Sequence, residues 1–252
     1  MGHALITAGT SGLGRQVTEK FLEAGHRVTA TYYRNTEKAQ TVEQELAQYG
    51  QMLLIEQADV TNKQDIKTLH DKAVAVHGGI DYLINNAGPF VFERKKLLDY
   101  SEDEWHDLMN GNLDAVFYLL KLTVPHMRNQ HFGRIVNYGF QGANNASGWL
   151  YRSAFAAAKS GLVSLTKTVA FEEAPYQITS NMVCPGNITG NMKEAGIADS
   201  RRVHDETTPI GRPGTGEDIA RTIMYLCEQD SDMITGAIME ITGGLDVINR
   251  YR

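Results

Sequence analysis

The sequence predicts an α/β fold, a doubly wound parallel sheet with helices on both faces. Three observations lead to it. Short apolar runs alternate with amphipathic segments along all 252 residues. Those apolar runs are continuous rather than alternating, as expected of strands covered on both faces. The first run passes through a glycine-rich turn into a helix, the opening of a βαβ unit. No linker, internal repeat or low-complexity segment breaks the pattern, so residues 1–252 read as one domain.

The elements follow in order. "HALITA" (His3–Ala8) is a buried strand, and "GRQVTEKFLEAG" is the helix after it, closed by Gly25. "HRVTATYY" is the second strand, "NTEKAQTVEQELAQYG" a helix closed by Gly50, and "MLLIEQADV" the third strand. A helix at Asp65–His77 leads to the strand "IDYLINNAG". A loop to Tyr100 precedes a helix over roughly Glu102–Arg128. The strand "RIVNYG", a loop, a helix around Phe155–Phe171 and the strand "ITSNMVCPG" come next. A polar, glycine-containing stretch, 187–216, interrupts the alternation and reads as a substrate lid. The helix "GEDIARTIMYLCEQ" and the strand "GAIMEITGG" finish the fold. Ligands of such sheets bind beyond the carboxyl ends of the strands, so the strand-end loops carry the function.

Composition narrows the class. The chain is 42% hydrophobic and 21% charged, ordinary for a soluble globular protein. Its net charge of −6 gives no electrostatic reason to expect nucleic acid or an anionic membrane as partner. No apolar run approaches the ~18 residues that span a bilayer. The start, "MGHALITAG", enters a strand without the basic and apolar regions of a signal peptide. Cys184 and Cys227 lie far apart with no CxxC, which implies a reducing, cytoplasmic setting and no metal site. The expected partner is a small-molecule substrate.

The first strand ends in "TAGTSGLGR", Thr7 to Arg15. Glycines at 9, 12 and 14 permit a tight turn, close approach of backbone to a pyrophosphate, and close helix–strand packing. The helix that follows offers unpaired N–H groups and a partial positive charge to phosphates. Gly9, Ser11, Gly12, Leu13 and Gly14 are therefore candidate dinucleotide contacts. An acidic residue at the end of the second strand would bond the adenosine ribose and reject a 2′-phosphate. Tyr32, Tyr33 and Arg34 stand there instead. Arg34, joined by Arg15, can pair with a 2′-phosphate, which favours NADP(H) over NAD(H).

With these motifs the chain resembles the short-chain dehydrogenase/reductase family along nearly its whole length, and is most similar to the 3-oxoacyl-carrier-protein reductase-like branch. The resemblance rests on "TAGTSGLG", "ADV" (Ala58–Val60), "NNAG" (Asn85–Gly88), Asn112–Leu113, "GRIVN" (Gly133–Asn137), Lys159 and "NMVCPG" (Asn181–Gly186). "PIGRPGTGEDIA" and "ITGAIMEITGG" match the family's C-terminal pattern. It implies a single Rossmann domain and a homotetramer or dimer built on the two long helices and the last strand. It also implies roles. Asp59 and Val60 would meet the adenine, and Asn86, Ala87 and Gly88 would sit against the adenosine ribose. Lys159 would hold the nicotinamide ribose, with Asn112 anchoring a water relay to it. Pro185, Gly186 and Ile188 would line the nicotinamide.

The departures are specific. The family's serine after the fifth strand aligns with Phe140, and its tyrosine four residues before the lysine aligns with Phe155. Neither side chain can donate a hydrogen bond. The first glycine of the family turn is Ala8, and the threonine position after "PG" is Gly190, with Thr189 one place early. Tyr151 lies eight residues before Lys159, ~12 Å away if both were on one helix. It can replace the missing acid only from a loop before the helix, as in the enoyl-reductase branch, where the tyrosine stands seven residues before the lysine. Otherwise it is a rim aromatic packed on Trp149. Two functions stay open: an NADP(H)-dependent oxidoreductase acting on a small carbonyl, imine or enoyl substrate with an altered protonation step, or a catalytically silent nucleotide-binding homologue.

Overall fold

Each buried run of the sequence forms a strand, and all the strands are parallel. The computed structural model describes residues 1–248; the last four residues of the expected domain, 249–252, lie outside the described residues. The strands are β1 (His3–Ile6), β2 (Arg27–Tyr32), β3 (Leu53–Gln57), β4 (Tyr82–Asn85), β5 (Gly133–Tyr138), β6 (Ile178–Pro185) and β7 (Ile238–Ile241). They form one sheet in the order β3-β2-β1-β4-β5-β6-β7. The chain works outward from β1 to β3, returns to β4 beside β1, and continues outward to β7. The reversal between β1 and β4 opens a crevice above their carboxyl ends.

Successive residues of a strand face opposite ways, and β1 shows the consequence. Ala4 and Ile6 face α1 (Gly12–Glu23) and α8 (Gly216–Cys227), in a core with Val17, Phe21, Ile219 and Ile223. Leu5 faces the other layer, where α3 (Lys63–His77), α5 (Ala115–Gln130) and α6 (Ser153–Glu173) contribute Leu69, Leu119 and Leu162. The short helix α2 (Thr36–Glu45) adds Val42 to the first core. Caps fix where several helices begin. Asn35 and Asn62 accept backbone N–H bonds at the starts of α2 and α3, and Thr215 with Asp218 forms a capping box on α8. No helix among the described residues is long and apolar enough to cross a membrane.

Several elements differ from those expected; the helix expected to close at Gly50, for example, is α-helical only to Glu45 and continues as a 3₁₀ turn, Ala47–Met52. The first strand stops at Ile6 rather than Ala8, because Ala8 adopts a left-handed backbone (φ 51°) that starts the turn. The helix expected over Glu102–Arg128 is α-helical at α4 (Glu102–Met109) and α5, joined by a π turn at Asn110–Asp114. Such one-turn bulges hold side chains that a regular helix would turn away; here the residue held is Asn112. The polar stretch 187–216 contains a 3₁₀ turn, Gly190–Glu194, and a short helix, α7 (Ile197–Ser200).

The "GRIVN" motif also has a structural member. Arg134, 2% exposed, sends its guanidinium to the carbonyls of Gly133, Gln177, Glu228 and Gln229 at 3.0–3.3 Å, stacked on the Phe132 ring. It ties β5 to the chain leaving α6 and to the end of α8. Arg134→Met keeps the bulk but strands those acceptors. We expect a loss of roughly 3 kcal/mol in denaturant unfolding, with Arg134→Lys recovering part of it.

Candidate active site

The phosphate turn is built from close approach. Gly14, in the first turn of α1, lies against the Ala8 carbonyl and the Asn86 side chain, where a Cβ would collide with both. Asn86 Nδ2 donates to the carbonyls of Thr7 (3.0 Å) and Ala8 (3.2 Å), and the Ala87 N–H donates to Thr7 Oγ1 (2.9 Å). The ends of β1 and β4 are thus pinned together under the turn. Ser11 stands at the N-cap of α1 but makes no capping hydrogen bond.

At the end of β2, Arg34 lies over the Tyr33 ring, 4.5 Å from its centroid, and donates to its hydroxyl. Arg15 turns elsewhere, to Glu19 (2.8 Å), Glu45 (2.6 Å) and Glu194 (3.3 Å). Asp59, after β3, accepts from the Thr61 N–H and hydroxyl. Burial alone would raise its carboxyl. Those bonds, with one from Tyr33 and the charge of Arg34, outweigh it and hold the carboxyl below its ordinary range. Val60, beside it, packs on the α3–α5 side of the core.

Beyond the ends of β4, β5 and β6 lies a cavity of about 590 Å³. Leu13, Asn86, Gly88, Asn112, Tyr151, Lys159, Pro185, Gly186 and Ile188 all line it. The other expected cofactor residues, Gly9, Ser11, Gly12, Gly14, Arg15, Arg34, Asp59, Val60 and Ala87, flank the ends of β1 to β4 outside that lining. Asn112 is held by bonds from its Nδ2 to the carbonyls of Pro89 and Leu108. Its buried Oδ1, facing Gly88, has no hydrogen-bond partner.

Lys159 is 4% exposed in the middle of α6 and lies over the Phe155 ring, 5.7 Å from its centroid. No hydrogen bond reaches its ammonium among the described residues. Burial lowers it to about 8, a little countered by the nearby Cys184. Around it stands an aromatic wall. Phe140 stacks on Trp149 at 5.3 Å, and Phe155 meets Phe90 edge-on at 4.9 Å. Tyr151 lies before α6, as a displaced acid requires, with a left-handed backbone (φ 67°) that costs a bulky residue about 1–3 kcal/mol. Arg94 covers its ring, and no hydrogen bond joins it to Lys159.

Three participants escaped the sequence reading. Tyr138 ends β5, lines the cavity, and has a buried hydroxyl with no partner, its phenol pushed up by burial. A tyrosine in a buried strand reads as core, so nothing in the pattern marks it. Arg94 and Arg152 also line the cavity, from loops whose course the sequence does not reveal. With Lys159 they are the charged residues of the lining among the described residues, and all three are basic.

A family model described as "Enoyl-(Acyl carrier protein) reductase" matches residues 7–246. The chain belongs to the short-chain dehydrogenase/reductase family. Among curated relatives, "Putative oxidoreductase YtkK" of Bacillus subtilis is 56% identical, covering 99% of this chain and 98% of that protein. The 3-oxoacyl-[acyl-carrier-protein] reductase FabG of Haemophilus influenzae is 34% identical over 96% and 97%. Among solved structures, a Bacillus thuringiensis protein described as a "putative 3-oxoacyl-reductase" superposes with a TM-score of 0.94 at 61% identity, covering 99% of this chain and 100% of the other. A blue fluorescent protein from a metagenomic library, solved in complex with NADPH, gives 0.82 at 28% identity over 96% and 97%. The short-chain dehydrogenase/reductase fold and the FabG-like branch both agree with the motifs in the sequence.

In this short-chain dehydrogenase/reductase, the buried ammonium has a measurable cost. Lys159 at about 8, against an ordinary 10.5, leaves the native state poorer in protons than the unfolded chain between those values. Stability therefore rises with pH through that window and carries the full penalty below it. Lys159→Met removes the penalty. We expect the variant to be more stable by about 1–3 kcal/mol below the window and to lose the slope within it, read by thermal unfolding on either side.

Proposed function

We propose that this chain is a cytoplasmic, NADP(H)-dependent oxidoreductase that moves hydride to or from a small conjugated acceptor, an enoyl compound foremost, with Tyr151 as proton donor. The observation that supports this most is the juxtaposition of a buried, unbonded Lys159 with an aromatic wall where the family has its serine and tyrosine. Tyr151 faces the same cavity from the loop before α6.

The residues fit a nicotinamide dinucleotide. Gly14 lies so close to the Ala8 carbonyl and the Asn86 side chain that any Cβ would collide, and Asn112 Oδ1 and the Tyr138 hydroxyl are buried polar groups without hydrogen bonds among the described residues, at the cavity that Lys159 also lines. Gly9, Ser11, Gly12, Leu13 and Gly14 would hold the pyrophosphate, and Arg34 with Arg15 the 2′-phosphate. Asp59 and Val60 would hold the adenine, Asn86, Ala87 and Gly88 the adenosine ribose, Lys159 the nicotinamide ribose, and Pro185, Gly186 and Ile188 the nicotinamide. The chemistry such a group supplies when bound is hydride transfer.

The rest falls to this chain's own residues. Phe140, Phe155, Phe90 and Trp149 exclude water and accept a flat, apolar group. Lys159 and Arg152 bring positive charge to the cavity, so an acceptor on which reduction leaves negative charge is stabilised there, and a cationic iminium is repelled. That favours enoyl and carbonyl acceptors over imines. Tyr151 donates a proton to the developing oxyanion, its hydroxyl making no hydrogen bond among the described residues. Asn112 Oδ1 anchors water leading toward Lys159. The segment 187–216 serves as the lid, and the family's tetramer would cover Phe117 and Phe171, exposed on α5 and α6.

A second reading, a catalytically silent nucleotide-binding homologue, is favoured by the absence of a hydrogen bond between Tyr151 and Lys159. Steady-state kinetics with NADPH and enoyl, carbonyl and imine acceptors separates the two. Tyr151→Phe is expected to lower kcat about 10²–10⁴-fold with cofactor affinity unchanged. Full activity in that variant would remove Tyr151 from the chemistry. A wild-type chain inert to every acceptor, in which Phe155→Tyr creates carbonyl reduction, would establish the silent reading.

A further inference from the structure

The 3₁₀ turn Gly190–Glu194 ends in a carboxylate that reaches out of its own segment. Glu194 Oε1 accepts the backbone N–H of Gly12 at 2.9 Å, and Oε2 accepts from Lys38 Nζ at 3.0 Å and Arg15 Nη1 at 3.3 Å. These donors come from the start of α1 and from the first turn of α2. The turn is seated firmly. Gln16 Nε2 donates to the Glu194 carbonyl at 3.1 Å, and the Lys193 carbonyl lies so close to Gly216 that a Cβ there would strike it. Burial would raise the Glu194 carboxyl; the Gly12, Lys38 and Arg15 contacts prevail and lower it, so it stays charged.

The donors that Glu194 uses are those a phosphate monoester would use: a helix N-terminal N–H, an ammonium and a guanidinium. Lys38 follows the end of β2, where the sequence places the 2′-phosphate, and Glu194 links it to Arg15 and to the Gly12 N–H. The surrounding charge decides whether both anions fit. Arg15 also pairs with Glu19 and Glu45, so Arg15 and Lys38 together already face three carboxylates, while Arg34 lies over Tyr33 and pairs with none of them. A phosphate monoester carries about two negative charges at neutral pH, and a site with an excess of carboxylate repels it. With Glu194 withdrawn, two cations face two carboxylates, and the Gly12 N–H and the Lys38 ammonium are released.

We propose that Glu194 is a built-in competitor for the 2′-phosphate at the Gly12–Arg15–Lys38 site, and so determines how strongly the protein discriminates between 2′-phosphorylated and unphosphorylated dinucleotides. This rests on the dinucleotide reading above. A ligand without the 2′-phosphate contests only the Gly12 N–H, which belongs to the pyrophosphate turn, and leaves the Lys38 and Arg15 contacts of Glu194 in place. One that carries it must displace Glu194, and with it the turn that leads into the 187–216 segment. The discrimination in favour of the 2′-phosphate is therefore smaller than the cations alone would give.

Calorimetric titration of the full chain with adenosine 2′,5′-bisphosphate and with 5′-AMP, which lacks only the 2′-phosphate, tests this without reference to turnover. Glu194→Gln keeps the shape and removes the charge. We expect it to tighten the bisphosphate about tenfold and to change 5′-AMP less than about twofold. Lys38→Gln is expected to weaken the bisphosphate and leave 5′-AMP alone, and thermal unfolding of both variants checks that they fold. Equal tightening of the two ligands in Glu194→Gln would overturn the proposal, because Glu194 would then contest the 5′-phosphate. Weakening of both would overturn it too, making Glu194 a brace for the turn. If 5′-AMP binds and Glu194→Gln changes nothing, the proposal fails alone. If neither ligand binds any variant, the dinucleotide reading fails with it.

Discussion

Lys159 places an ammonium group where no hydrogen bond or carboxylate among the described residues relieves it, and the carboxyl ends of β4, β5 and β6 are arranged around it. Its nearest ring is Phe155, its cavity is walled by Phe90, Phe140 and Trp149, and its charge is depressed by burial. A buried cation with no hydrogen bond is a poor choice for stability, since desolvation is uncompensated. Such a residue is retained where its interaction is completed from outside the chain. The π turn that holds Asn112, with its own unpaired oxygen, has the same character. Both are local departures from an otherwise consistent fold, and they meet at one cavity.

The sequence carried the sheet because the central strands are covered on both faces and are therefore largely apolar. β1 and β6 could be read for that reason, and the helices from their periodicity and caps. Boundaries failed where backbone geometry, not residue type, decides. Ala8 ends β1 by adopting a left-handed conformation that alanine seldom takes, and the π turn leaves no mark in the periodicity of 102–128. The glycine turn, Asn112 and Lys159 were legible because their spacing is tied to a particular crevice. Tyr138, Arg94 and Arg152 were not, since an aromatic residue in a strand and an arginine in a loop have many ordinary uses. Glu194 was invisible for a further reason: its partners are 156 to 182 residues away in the chain.

Two features of this short-chain dehydrogenase/reductase bear on one another. The phenylalanine wall takes hydrogen-bond donors away from the substrate, and the positive lining returns electrostatic stabilisation by another means. A site of that kind depends on excluding water, because its cations would be screened in a wet cavity. In the proposed reading the segment 187–216 excludes it, and Glu194 fastens the first turn of that segment to the start of α1. Occupancy at one end and closure at the other thus share a single element.

The most direct measurement is a fluorescence titration with NADPH and NADH, exciting tryptophan and recording emission from the reduced nicotinamide. Trp149 lines the cavity beside Lys159, so a nicotinamide bound there receives energy from it. The account predicts saturable energy transfer, tighter for NADPH than for NADH and reduced in Trp149→Phe. Binding without energy transfer would put the nicotinamide elsewhere, and no binding of either nucleotide would contradict the oxidoreductase reading itself.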